Sequence, residues 1–526
     1  MASSLKNLKK VLNLYSGTWN FYSGVTRYLS GTRYLSGTNK VQFEIESKPN
    51  LSEKINIGQP TAFSHTHLFE SIHEITPGIS RKEYAWRRRQ LMHVLAEDHV
   101  GRNYDKHLFI LSAADLKIMT NDIPYPFHQD TDFLYLSGVN EPDAILVLDF
   151  NRVSSRLKFL LFVKPKDPKR ELWDGAVIGQ QAAVDYFNAD ESFPLNSFTS
   201  MMQEKFNNSG YCVWYKNRRT SHAGNQQIIL SLLNDTNFKK KAIQELGFNL
   251  QMIRLIKSAS EINLLKKSAT IASKAFSKVI KSTRPGMIES NLHALLEYEC
   301  RIDGAQFLSF PPVVAGGNSA NTLHYINNTQ LLRDGELVLM DGGCEYHGYV
   351  SDITRTWPVN GKFSEAQKEL YELVLHVQET CLKECKEDVS LDHLHNTMMV
   401  SLATELKKLG FFSENVSSAQ LQKQVSQYCP HHLGHYLGMD THDTPLLHRG
   451  LPLRPGMVIT MEPGLYVSEN DLSVPKKYRG IGIRIEDDVL ITEHGPYIMT
   501  ASLPKQVGQI EQLMGSFRNN EYSISV

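Results

Sequence analysis

One pattern occurs twice in this chain, and it constrains the fold more than any other feature. Gly335-Glu-Leu-Val-Leu-Met-Asp341 and Gly456-Met-Val-Ile-Thr-Met-Glu462 each open on glycine, run through mainly apolar residues and end on an acid. Turn residues follow each acid, Gly342-Gly343 in one copy and Pro463-Gly464 in the other. Each copy also has a return segment with its own acid. The first is Tyr349-Val-Ser-Asp-Ile-Thr-Arg355, with Asp352; the second is Gly482-Ile-Arg-Ile-Glu-Asp-Asp-Val-Leu490, with Glu486. A carboxylate in an apolar strand must be paired or bind a metal, because an uncompensated buried charge is costly. If each pair of segments forms a hairpin, Asp341 and Asp352 face one site. Arg484 and Glu486 share a strand face, because side chains alternate. The duplication implies an internal pseudo-two-fold, with four carboxylates converging between its halves.

Imidazoles come from one segment, Pro430-His-His-Leu-Gly-His-Tyr-Leu-Gly-Met-Asp-Thr-His442. Four histidines among glycines and apolar residues point to at least one metal ligand. Carboxylates outnumber imidazoles and no cysteine joins them, which favours Mn²⁺, Mg²⁺ or Co²⁺ over a structural zinc. Four carboxylates exceed the needs of one ion. Bridging carboxylates hold two ions ~3.5–4 Å apart in two-metal sites. The expectation is two divalent metal ions, Mn²⁺ foremost.

The 526 residues allow two or three domains. Residues 57–249 read as an α/β domain. It opens with a Ser80–Glu83 capping pair, and short strands are expected over Phe133–Leu136, Ala144–Leu148 and Phe159–Val163. Residues 250–526 read as a second domain, opening on a Ser258–Glu261 capping box, with helices over Glu365–Glu387 and Leu391–Leu409. The fold class is α/β (α+β). Residues 1–56 differ: Met1 to Phe43 hold no acid, and Lys6, Lys9, Lys10, Arg27, Arg33 and Lys40 make them basic. That is the composition of an organelle transit peptide, with an unstructured tail as the alternative.

Other classes fall away. Lys+Arg and Asp+Glu are equal at 56 each, so no net charge draws the chain to nucleic acid. No apolar run approaches the ~18 residues of a membrane helix. Six scattered cysteines suit a reducing compartment. Cys381 and Cys385, one helical turn apart, read as buried thiols, with a redox or metal pair as the alternative.

Several segments together resemble the "pita-bread" metallopeptidases, which include methionine aminopeptidase, prolidase and aminopeptidase P. They are Met340-Asp-Gly-Gly-Cys344, Ser351-Asp-Ile-Thr-Arg-Thr-Trp-Pro358, His432-Leu-Gly-His-Tyr-Leu-Gly438, Met461-Glu-Pro-Gly-Leu-Tyr466 and Gly482-Ile-Arg-Ile-Glu-Asp487. Tyr125–Gly138, Arg170–Gly175 and Pro311–Asn318 resemble aminopeptidase P in particular, and within it the mitochondrial branch, whose relatives include intermediate-cleaving peptidases. The resemblance implies a creatinase-like α/β domain ahead of a pita-bread catalytic domain. It implies that Asp341, Asp352, His435, Glu462 and Glu486 are the metal ligands, with Asp352 and Glu486 bridging and Glu462 as base. It also implies that His324 and His442 contact the substrate carbonyl and that His431 lines a proline pocket.

Arg484 is expected to pair with Asp352 or Glu486, or to touch substrate. For His324 and His431 a structural hydrogen bond is the alternative. His128, His432 and His448 are read as structural. Trp173 resembles a tryptophan that reaches a neighbouring subunit's site, with an ordinary core or surface residue as the alternative. The implied activity is hydrolysis of the N-terminal Xaa-Pro bond of peptides by a mitochondrial homodimer. A start after the leader would make a cytosolic form. Prolidase activity, intermediate cleavage of imported proteins and a peptide-binding module are the competing readings.

Overall fold

The computed structural model describes residues 56–207, 210–216, 224–235, 243–412 and 418–518. The expected leader therefore lies outside the described residues, apart from its last position. The first half is built on one mixed sheet. Its strands are β1 (Lys106–Ser112), β2 (Ile145–Asn151), β3 (Arg156–Val163), β4 (Glu191–Pro194), β5 (Tyr211–Tyr215) and β6 (Ile243–Glu245), in the order β6-β5-β1-β2-β3-β4. β2 runs antiparallel to β1 and β3, and the other pairs are parallel. Alternation splits the side chains between two cores. Phe109, Leu111, Leu146 and Leu148 join one, and Leu108, Ile110, Ile145 and Val147 join the other. Burial on both faces is why these strands read as unbroken apolar runs.

Helix α1 (Arg81–Glu97) begins at Ser80, whose Oγ accepts the Glu83 N–H at 3.3 Å. Only half of the expected box forms. The Glu83 carboxylate instead accepts from Arg87 at 2.8 Å and from Ser258 at 2.7 Å. Phe133–Leu136 is not a strand but part of helix α2 (Thr131–Ser137). Asp130 Oδ1 caps it by accepting the Phe133 N–H at 2.9 Å, and Gly138 ends it at φ 72°. A four-residue apolar run carries no usable period, so the caps decide.

Helix α3 (Gly247–Leu255) spans the expected domain boundary at 249/250, and α4 (Ala259–Ser282) follows. The Ser258–Glu261 box closes fully: Ser258 Oγ accepts the Glu261 N–H at 3.2 Å, and Glu261 Oε2 accepts the Ser258 N–H at 2.9 Å. The two helices expected later are α5 (Glu365–Glu384) and α6 (Leu391–Lys408).

The duplicated segments form two matching ladders. In the first, β7 (Leu337–Gly342) pairs antiparallel with β8 (Ile353–Pro358), and Cys344–Tyr346 pairs with Tyr349–Val350. In the second, β9 (Val458–Met461) pairs with β12 (Asp487–Thr492), and β10 (Gly464–Val467) pairs with β11 (Ile481–Arg484). Asp341 lies opposite Thr354, just before the first break; Asp352, Glu462 and Glu486 lie in the breaks themselves. Gly342-Gly343 and Pro463-Gly464 therefore do not reverse the chain, as their composition predicts. They border a break in a ladder that then resumes, Gly342 still paired with Ile353 and Gly464 already paired with Arg484. A Cβ on Gly343 would sit 1.9 Å from the Ser351 carbonyl oxygen, so the strands approach too closely there for any side chain.

Candidate metal centre

The breaks bring the acids to one place. Asp352, His435 and Glu486 each offer a ligand atom, and these atoms lie within 4.8 Å of one another. His435 Nε2 stands 3.4 Å from Asp352 Oδ2 and 3.6 Å from Glu462 Oε1. Its Nδ1 donates to the Tyr436 carbonyl at 3.1 Å, which leaves Nε2 as the lone-pair nitrogen facing the carboxylates.

Two threonines steady the acids. Thr354 Oγ1 donates to Glu486 Oε2 at 2.7 Å. Thr460 Oγ1 donates to Glu462 Oε1 at 3.3 Å and accepts the His435 N–H at 3.1 Å. The Asp352 N–H is shared by the two oxygens of buried Asp488, at 3.2 and 3.3 Å. Sequence reading missed Thr354, Thr460 and Asp488. Thr354 and Thr460 stand two positions from an acid, the same-face spacing of a strand, and that signal could have found them.

Arg484 takes a partner other than those expected. Its Nη2 donates to Asp341 Oδ2 at 2.7 Å, its Nε to Thr354 Oγ1 at 3.0 Å, and its Nη1 to the Tyr466 hydroxyl at 2.8 Å. Glu486 is reached through Thr354, whose Oγ1 accepts from Arg484 and donates to the Glu486 carboxylate.

Tyr466, also unforeseen, then donates to His431 Nε2 at 2.9 Å, while His431 Nδ1 donates to the His432 carbonyl at 2.9 Å. Burial, then Arg484, push the His431 imidazole down to about 4, so it is neutral. The His442 ring lies 4.5 Å from that of His435 at 73°. His442 is exposed at the surface of the site. Burial of the remainder, with His435 and His324 nearby, holds it below the ordinary histidine range. His324 is exposed.

Electrostatics mark the cluster as incomplete. Burial, followed by the charge of neighbouring carboxylates, raises Asp352 and Glu486 well above the usual carboxylate range. Burial also raises Glu462. Asp341 Oδ1, Asp352 Oδ1 and Glu486 Oε1 are buried with no hydrogen-bond partner. One orphaned oxygen on each of three adjacent carboxylates is what divalent cations would satisfy, so these residues fit such a group.

The segment that carries His442 is tied to the first half of the chain. Arg254 in α3 donates to Asp132 in α2, to Asp440 and to Asp443, and Lys257 donates to Asp443 at 3.0 Å. Of the residues read as structural, His128 Nε2 meets Glu345 Oε2 at 2.6 Å across the two halves, a hydrogen bond that raises its pKa. Trp173 is 86% exposed. All six cysteines are free and buried. Among the described residues, no helix is long and apolar enough to cross a membrane.

Carboxylates at the breaks of a duplicated strand ladder, joined by the His435 imidazole, form a cluster that could hold a metal ion. Residues 263–493 match Metallopeptidase family M24, and residues 84–214 match the Aminopeptidase P, N-terminal domain family. The chain belongs to the aminopeptidase P family of metallopeptidases. It is 44% identical over 460 residues to Xaa-Pro aminopeptidase 3 of Rattus norvegicus, covering 87% of this chain and 90% of that protein. It is 40% identical over 464 residues to mitochondrial intermediate cleaving peptidase 55 of Arabidopsis thaliana, covering 88% of each. Among solved structures, zinc-substituted E. coli aminopeptidase P in complex with product superposes with a TM-score of 0.75 at 33% identity. That match covers 84% of this chain and all of the other.

Proposed function

We propose that this chain is a metal-dependent aminopeptidase that releases the first residue of peptides whose second residue is proline. The observation that carries this reading is the Asp352–His435–Glu486 cluster, with an orphaned buried oxygen on each of Asp341, Asp352 and Glu486, in a chain of the aminopeptidase P family. Asp341, Asp352, His435, Glu462 and Glu486 would hold two divalent ions, Mn²⁺ in the first instance. When bound, the ions lower the pKa of water enough to supply a nucleophile near neutral pH.

The chain's own groups do the rest. Glu462 takes the proton of the attacking water. His442 and His324 donate N–H groups to the carbonyl oxygen that precedes proline, where negative charge develops. Both nitrogens of His431 are committed to Tyr466 and the His432 carbonyl, so its ring serves as a wall of the proline pocket. Arg484 holds Asp341 and Tyr466 in place and borders the substrate. The X-Pro amide has no N–H to offer a general protease. A site that reads the carbonyl and the ring avoids that need.

Residues 57–249 form the amino-terminal domain and residues 250–526 the catalytic domain, and two chains make a homodimer. The leader, residues 1–56, acid-free as far as Phe43, directs the protein to mitochondria, a reading supported by its composition and by the mitochondrial plant relative.

The test is cleavage by metal-stripped protein with Mn²⁺ restored. The substrates are an Xaa-Pro tripeptide, an Xaa-Pro dipeptide and a peptide with alanine at position two, with Glu462→Gln as control. Release of the first residue from the tripeptide alone, lost in the control, is expected. Preference for the dipeptide would replace this reading with prolidase, and preference for alanine with intermediate cleavage. No cleavage with any divalent ion would leave a peptide-binding module.

A further inference from the structure

The two acids of the second ladder stand on peptides that one side chain holds together. Glu462 follows Met461, the last residue of β9, and Glu486 follows Ile485, in the gap between β11 and β12. Gln378 reaches both from helix α5 and is completely buried. Its Nε2 donates to the Met461 carbonyl at 3.1 Å and to the Ile485 carbonyl at 3.2 Å. A primary amide carries two N–H groups, so the donors of this side chain are spent in full. Its Oε1 accepts from Lys505 Nζ at 2.9 Å. A lysine only donates, so the amide oxygen must face Lys505 and the amide nitrogen the two carbonyls.

The other ends of the same two peptides are fixed as well. The Glu462 N–H donates to the Leu433 carbonyl at 2.8 Å, and the Glu486 N–H donates to the Thr354 carbonyl at 3.0 Å. A peptide unit is planar, so holding its C=O and its N–H fixes the plane from which the next Cα departs. Within a ladder, backbone N–H groups supply such donors; at a break, a side chain takes their place. The first ladder shows the same device on a single acid. There Ser309 Oγ donates at 2.7 Å to the Ser351 carbonyl, which precedes Asp352. In the second ladder one amide serves both acids and ties their peptides directly to each other.

We propose that Gln378 is a positioning residue of the metal centre, which sets the separation of the Glu462 and Glu486 carboxylates and so the affinity for divalent ions. The proposal rests on the reading that these two acids are metal ligands. Gln378 acts through their backbones, from α5, behind the site. Groups that orient metal ligands from outside change affinity by about 10–100-fold when they are lost. A brace that served stability alone would lower Tm and leave the affinity as it was.

The test is a Mn²⁺ titration of the metal-stripped full chain near neutral pH, with the free ion followed by electron paramagnetic resonance and no peptide present. Gln378→Met keeps the length of the side chain and removes its donors. Gln378→Glu keeps the oxygen that faces Lys505, and serves if circular dichroism shows the methionine variant unfolded. Either folded variant is expected to bind Mn²⁺ about ten-fold more weakly than wild type. Ser258→Ala, which removes a helix cap away from the centre, should bind it as wild type does. Wild-type affinity in a folded Gln378 variant, or an equal loss in Ser258→Ala, would overturn the proposal alone. A wild-type chain that binds no Mn²⁺ would overturn it together with the metal centre.

Discussion

Arg254 donates through Nη2 to Asp443 Oδ1 at 2.5 Å, and Asp443 directly follows His442 in the chain. The same guanidinium donates through Nη1 to Asp132 in α2, so one buried cation links the amino-terminal half to the His442 segment. Breaking a buried ion network leaves charges without partners, at a cost of about 3–5 kcal/mol. Arg254→Met is expected to lose about 3 kcal/mol in urea unfolding, near the low end because Lys216 and Lys257 still face the acids. The kcat for Xaa-Pro peptides should fall with it. Asp440→Asn, at a half-exposed partner of the same arginine, should cost under about 1 kcal/mol.

Metal-free protein should lose stability as pH rises from acid to neutral. The folded-state pKa values of Asp352 and Glu486 lie well above their unfolded values, so the folded chain binds more protons. The penalty begins as the unfolded carboxyls ionise near about pH 4 and grows until pH passes the folded values. Thermal melts of stripped protein across that range should show the decline, reduced in Asp352→Asn with Glu486→Gln. Divalent ions added to stripped wild-type protein at pH 7 should release protons, measurable in weak buffer.

Glu141 offers a cleaner case away from the metal centre. Burial raises it to about 7; its Oε2 accepts the Ile178 N–H at 2.6 Å, and its Oε1 is buried without a partner. A raised carboxyl costs stability above its unfolded pKa, increasingly so up to pH 7. Glu141→Gln removes the charge, so it should be nearly neutral at pH 5 and stabilising at pH 8 by on the order of 2 kcal/mol. Tm at the two pH values decides it.

Ser258 performs two tasks with one hydroxyl, capping α4 and donating to Glu83 at the start of α1. Ser258→Ala should cost about 1–2 kcal/mol in denaturant unfolding. Ser258→Asp keeps a cap acceptor but faces the Glu83 carboxylate. It should therefore recover only part of the loss.

The two ladders, the capping box at Ser258 and the acids that meet were all legible in the sequence. Each rests on a local rule: two-residue alternation along strands, the spacing of a cap, or a charge in an apolar run. The helix over Thr131–Ser137 was not legible, because four apolar residues suit either element and a distant fold accepts the capped one. Nor was the partner of Arg484, since the packing of the two ladders against each other brings Asp341 to it from 143 positions away.

What the sequence by itself determined is which side chains could form a metal centre and on which elements they ride. Tertiary structure decided that the strand ladders break at the acids and that Thr354 and Thr460 brace them. It also decided that His432, one residue from His431, turns instead to Asp392. The physical reason is reach. A strand or a cap is set by neighbours a few residues away. The Asp352 N–H finds Asp488 across 136 residues, a contact that exists only once register and burial have closed the whole domain.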